Sequence, residues 1–187
     1  MKKLILFAAV AATLGSLFSC STVDPKEYEG EWYTLEAENG VISDSSYILE
    51  TKLTFAPENK LTENETYYWA DSTAVYISCE GTWKVEETED GEPMLVRQYD
   101  INSLKLTSRP ADAIEYMPEL KPSTEKRLVA LNEVVDSCAT EGSLWGQTMK
   151  KDNGNLVLDG TAVVTYTTAD KLQQLYPDLY NKIQPLK

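Results

Sequence analysis

Three cysteines (Cys20, Cys79 and Cys138) and thirty acidic residues dominate the reactive groups of this 187-residue chain, which contains no histidine. The missing imidazole removes the commonest general base, the Ser–His and Cys–His dyads and most zinc and copper sites. A carboxylate pair can hydrolyse a glycoside, but acidic residues are so frequent here that no pair stands out. The run Glu86, Glu87, Glu89, Asp90 and Glu92 reads as a solvated hairpin tip. Asp152-Asn153-Gly154-Asn155 lacks the spacing of an EF-hand loop and reads as a type I′ turn. No catalytic residue, metal or cofactor is expected, and the chain reads as non-enzymatic. The thiols then offer two chemistries: acylation near the terminus, and pairing inside a domain.

The first thiol sits at the end of a leader. Lys2 and Lys3 precede an apolar run from Leu4 to Leu14, followed by Leu17-Phe18-Ser19-Cys20. Positive, apolar and small-residue segments in that order describe a secretory signal peptide. With Leu17 and Ser19 ahead of it, Cys20 resembles the acceptor of a bacterial lipobox, which receives a diacylglycerol and becomes the first mature residue. The competing reading is an ordinary secreted protein cut near Ser16 or Ser19, with Cys20 incidental. The apolar run is short of the roughly 20 residues that span a bilayer. The expected organisation is a leader over residues 1–19, a lipidated cysteine and short tether over 20–27, and one domain over 28–187. Its place is the bacterial cell envelope, lipid-anchored in the outer membrane with the periplasmic face favoured, because no acidic export run follows Cys20.

Losing Lys2 and Lys3 with the leader moves the formal net charge from −13 to −15. Such a surface is a poor partner for nucleic acid. The elements that position the remaining groups are mostly strands. Tyr47, Leu49, Thr51, Leu53 and Phe55 alternate with polar residues, as do Val75, Ile77, Cys79, Gly81, Trp83 and Val85. Turns are expected at 57–60, 70–73, 90–91, 102–103 and 152–154. One helix is expected from Pro122-Ser123 to Gly142, with Leu128, Leu131, Val135 and Cys138 as its apolar stripe. A short helix from Ala169 to Tyr176 should stop at Pro177. Cys79 and Cys138 both point at the core on this reading, and in an oxidising compartment they form a candidate disulfide. Two free buried thiols are the alternative.

Gly30-Glu31-Trp32 opens the first strand, and Gly81-Thr82-Trp83 echoes it. The first resembles the Gly-x-Trp motif of lipocalins and related calycin barrels, in which the tryptophan plugs one end. With the lipobox, the chain is similar to the lipocalin-like lipoproteins common in gut Bacteroidota. The resemblance implies a mostly β fold: an antiparallel lipocalin-like β-barrel of about eight strands, with one inserted α-helix and a short C-terminal helix. Gly30 and Trp32 would be the barrel plug.

Tyr68, Trp69, Trp83, Arg97, Tyr99 and Trp145 are candidate ligand-lining residues, with Arg97 meeting an anionic head group if its face is inward. Asp71-Ser72-Thr73 resembles an O-glycosylation acceptor of exported proteins in the same bacteria, with Ser72 as the modified residue. Two functions are expected to compete, while a third, a glycan-stacking accessory protein, would require the aromatics to line an exposed face. One is a lipid-anchored barrel binding a small apolar or amphipathic ligand. The other is an interaction module, filled inside, that docks another envelope protein through its loops or inserted helix. Interior volume separates them, since small barrels are packed solid and slightly wider ones hold one ligand.

Overall fold

The computed structural model describes residues 23–43, 46–143 and 145–187; the leader and Cys20 lie outside them. Eight strands form one antiparallel sheet in strict chain order: β1 (Gly30–Ala37), β2 (Ile48–Ala56), β3 (Lys60–Tyr68), β4 (Ala74–Glu87), β5 (Pro93–Arg109), β6 (Gln147–Asp152), β7 (Asn155–Asp159) and β8 (Val163–Tyr166). Just past β8, Thr167 reaches the first strand: Tyr33 N donates to Thr167 O at 2.7 Å, and Thr167 N donates to Tyr33 O at 2.8 Å. Gly30 has a φ of +132°, a conformation that side chains resist, so the glycine expected at the head of β1 is required there.

Alternation sorts the residues into two faces. The core face carries Trp32, Leu53, Phe55, Leu61, Cys79, Trp83, Val85, Leu95, Tyr99, Met149, Leu156, Leu158 and Tyr166. The back face carries Leu35, Ile48, Tyr68 and Ala74, which pack with Leu172 and Ile183 of two C-terminal helices, α2 (Leu172–Leu175) and α3 (Pro177–Ile183). Pro177 therefore starts a helix instead of only stopping one, because a first-turn proline has no amide bond to lose.

The register gives the sheet two ends. The lower end, where the chain arrives at Gly30, holds the connections at 57–59, 88–92 and 153–154. The upper end holds 38–47, 69–73 and the run leaving Arg109. The inserted helix α1 (Leu120–Thr140) begins two residues before the expected Pro122, and Leu128 and Val135 are buried on its inner stripe. Gly142 N and Ser143 N close onto the carbonyls of Ala139 and Cys138 at 3.2 and 2.8 Å.

α1 replaces a missing stretch of ladder. β5 pairs with β6 only at Met94–Thr148 and Leu95–Gln147, which leaves the rest of that edge without a strand. Exposed strand edges invite foreign pairing. Here Asn132 of α1 imitates a strand: Tyr99 N donates to Asn132 Oδ1 at 2.8 Å, and Asn132 Nδ2 donates to Tyr99 O at 2.7 Å. A little further along, Gln98 Nε2 donates to Asp136 Oδ1 at 2.6 Å. On the other side of β5, a Cβ at Gly81 would overlap the Gln98 carbonyl, so only glycine admits this close approach of β4 to β5.

Two expectations about β5 and the thiols are corrected. Asn102-Ser103 is not a turn between strands but part of a bulge within β5, where the register with β4 shifts between Ser78 and Glu80. Ser103 Oγ accepts from Glu80 N at 2.7 Å and donates to Asp100 O at 2.6 Å, so the strand continues through the irregularity. Cys79 and Cys138 are both free thiols, not a disulfide. The contacts of Asn132 and Asp136 show that α1 runs opposite to β5, so Cys138 lies past Asp136 towards the lower end. Cys79 sits on the other side of the Gly81–Tyr99 pair, with its Sγ 3.5 Å from Asp100 O. Burial raises the Cys79 thiol pKa. Iodoacetamide is expected to alkylate Cys138 in the native protein and Cys79 only in denaturant, as read by peptide mass. A disulfide would protect both in denaturant as well.

Candidate functional site

The sheet places charge where apolar side chains are usual. β3 alternates Leu61, Glu63, Glu65 and Tyr67 on the core face, and both carboxylates are buried. Opposite them β5 presents Leu95, Arg97 and Tyr99, and α1 supplies Arg127 from above. Arg97 Nη1 donates to Glu63 Oε2 at 3.1 Å, and its Nη2 donates to Gln147 Oε1 at 2.6 Å. Tyr99 donates a short hydrogen bond to the same Glu63 oxygen. Arg127 Nη2 bonds Glu65 Oε1 at 2.8 Å and lies 3.9 Å from Glu63 Oε1. Tyr67 donates to Glu65 Oε2 at 3.2 Å.

Two carboxylates and two guanidiniums thus form a charge-balanced network, with phenols taking up remaining acceptor capacity. Burial raises the pKa of Glu65; Arg127 opposes that effect and the neighbouring charge of Glu63 adds to it. Burial, then Glu63, pushes the Tyr99 phenol well above its ordinary range. Tyr67 is raised by burial and by Glu65. Burial disfavours the Arg97 charge, but Tyr99 and Glu63 more than offset it and hold the pKa above its usual value. Chemically, the arrangement fixes charge in place: each carboxylate is engaged by a guanidinium and a phenol.

Little room is left beside it. A cavity of about 10 Å3 opens between β5, α1 and the start of β6, lined by Leu95, Arg97, Tyr99, Leu131, Trp145 and Gln147. That is space for about one water.

The sequence candidates are scattered over the fold. Arg97 and Tyr99 do face inward together, but the anion that Arg97 meets is the protein's own Glu63. Trp83 is sealed at the lower end, its ring 4.8 Å from Phe55 and its Nε1 donating to Ala56 O at 3.1 Å. Tyr68 is on the back face under the C-terminal helices, because it is one residue out of phase with Tyr67. Trp145 is 36% exposed at the foot of α1. Trp32, expected from the resemblance to plug a barrel, is buried at the lower end, donating from Nε1 to Tyr28 O at 2.8 Å with the Lys151 ammonium 5.7 Å from its ring centre.

Trp69 belongs to a cluster at the upper end. Its ring lies 6.2 Å from Tyr67 at an interplanar angle of 22°, and Tyr47 stands edge-on to both, at 5.0 Å from Tyr67 and 5.6 Å from Trp69. Ser72 is exposed at the tip of the following turn with a φ of 70°, and Asp71 Oδ1 accepts from Thr73 N at 2.9 Å. Among the described residues no group of three or more acidic or cysteine side chains is placed to hold a metal. No helix among them is long and apolar enough to cross a membrane.

Glu63, Glu65, Arg127, Gln147, Asn132 and Tyr47 are the site residues the sequence reading passed over. The signal for the two glutamates was their shared parity with Leu61 and Tyr67. Compared with known proteins, the chain matches no family model, no curated protein and no solved structure.

Proposed function

We propose that this chain is a non-enzymatic, lipid-anchored module of the bacterial cell envelope that recognises other envelope components with its exterior and carries no ligand inside. The observation that carries this reading is the filled interior, where the Glu63–Arg97 and Glu65–Arg127 pairs occupy the space an apolar ligand would need. Moving an apolar molecule there would strand charges that now satisfy each other. The scaffold on this reading is a lipocalin-like barrel. What supports it is the exchange of hydrogen bonds between Tyr33 of β1 and Thr167, just past β8, and the cover that α1 gives the gap between β5 and β6. Cys20 carries the acyl anchor, and Ser72 carries a glycan in the native host.

Native mass spectrometry of protein gently extracted from its own host tests the reading. The expected folded mass equals the denatured mass. A reproducible small molecule lost only on denaturation would overturn it in favour of a carrier. The denatured mass itself should exceed the polypeptide from Cys20 onward by a diacylglycerol-containing group and by sugar, and Ser72→Ala should remove only the sugar.

A further inference from the structure

We propose that the upper rim formed by Tyr47, Tyr67 and Trp69, beside the Glu65–Arg127 pair, is a binding site for neutral oligosaccharide. This rests on the external-recognition reading and names its ligand class. Three observations carry it. First, these rings are left only half-buried, whereas Trp32, Trp83, Phe55 and Tyr99 are sealed. The indole N–H groups of Trp32 and Trp83 are bonded to backbone carbonyls. Among the described residues, the Trp69 indole and the Tyr47 hydroxyl have no hydrogen-bond partner. The rim therefore offers ring faces together with polar edges, the mixture of apolar surface and few polar groups by which small ligands are held.

Second, the Tyr67 and Trp69 planes are within 22° of parallel, with centres 6.2 Å apart. Rings held at one inclination present electron-rich aromatic surface to the C–H bonds of a sugar. Third, the charge balance selects the ligand. Glu65 is already paired with Arg127 at 2.8 Å, and Glu36 and Glu38 lie near enough to Tyr47 to raise its pKa, after burial. Anions are repelled by that field, and Glu65, the carboxylate in contact with the Tyr67 ring's hydroxyl, is already neutralised by Arg127. A neutral polyol can use the exposed N–H groups of Arg127 in a pair that stays intact.

The placement also fits. Four peptide steps separate Cys20 from Asp24, about 14 Å at full extension, and Asp24 leads into the lower end. With Cys20 acylated, the lower end and its acidic 88–92 hairpin sit towards the membrane, and the aromatic rim is presented away from it.

The test is affinity electrophoresis of the whole protein in mild detergent through gels containing soluble β-glucan, starch, xylan, mannan or galactan. At least one polysaccharide should retard the protein, and Trp69→Ala and Tyr47→Ser should each weaken retention about tenfold. Val134→Ser, on exposed α1 surface, should leave it unchanged. Tyr47→Ser keeps the test decisive if Trp69→Ala does not fold. Retention by none of the five, retention unaffected by both rim variants, or binding only to an oligolysine peptide would each overturn the proposal. An equal folded and denatured mass alongside such a failure would leave the external-recognition reading standing.

Discussion

Arg97→Met is expected to lower the free energy of unfolding by about 3–5 kcal/mol, the usual cost of removing one partner from a buried ion pair. The substitution keeps most of the side-chain volume, so the loss is electrostatic. Glu63 would retain the Tyr99 phenol and an Arg127 guanidinium 3.9 Å away, which also serves Glu65. Two buried carboxylates would then share one cation. Replacing Glu63 as well, in Glu63→Leu/Arg97→Met, should recover most of the loss, because apolar residues of similar volume often substitute for a buried pair at little cost. Urea-unfolding midpoints of wild type, both single variants and the double variant measure the coupling. A single variant within about 1 kcal/mol of wild type would mean that the pair behaves like a solvated one. The Lys52–Glu31 bridge provides that comparison: it is shorter, at 2.6 Å, but lies on the surface, and breaking it should cost less than about 1 kcal/mol.

Asn132→Leu should destabilise by about 2–4 kcal/mol, from two backbone groups each losing a partner. Leucine suits the helix and matches the volume of asparagine closely enough to keep α1 packed. What it cannot do is accept from Tyr99 N or donate to Tyr99 O, and no strand stands on that side of β5 to take over. The effect should therefore be local as well as global. Hydrogen exchange at the Tyr99 amide and across the last two turns of α1 should accelerate more than at Leu53, in the middle of β2. Uniform acceleration would show that Asn132 contributes no more to that edge than any other core position.

Much of the sheet was legible because alternation needs only neighbours in the chain. The core face of β4, from Val75 to Val85, follows from sequence parity alone. Parity also separates Tyr67 from Tyr68, yet it does not say which face of a strand is covered at its upper end; the back-face helices α2 and α3 decide that. Glu63 and Glu65 were opaque for a related reason. A glutamate in phase with Leu61 looks like an exception to the pattern until its counter-charge is known, and Arg127 is 62 residues further along from Glu65. Cys79 and Cys138 illustrate a third limit. Cys79 is buried as expected while Cys138 is only half-buried, and whether the two meet depends on the direction in which α1 crosses β5. That direction is set by Asn132 and Asp136, which carry no periodic signal. Asn102-Ser103 has the composition of a turn, and only the Ser103 hydroxyl, bridging Glu80 and Asp100, keeps β5 continuous.

The strict chain order of the eight strands has a kinetic consequence. Every ladder joins strands consecutive in sequence, and all except the one between β5 and β6 have short connections, which close early because little chain entropy is lost in closing them. One contact is different. Thr34 Oγ1 meets the Tyr176 hydroxyl across 142 residues, beside the Tyr33–Thr167 bridge, so the two termini of the domain must find each other through nearly the whole chain. Assembly on this topology proceeds as a zipper that ends in a clasp, the clasp being the step with the longest loop to close.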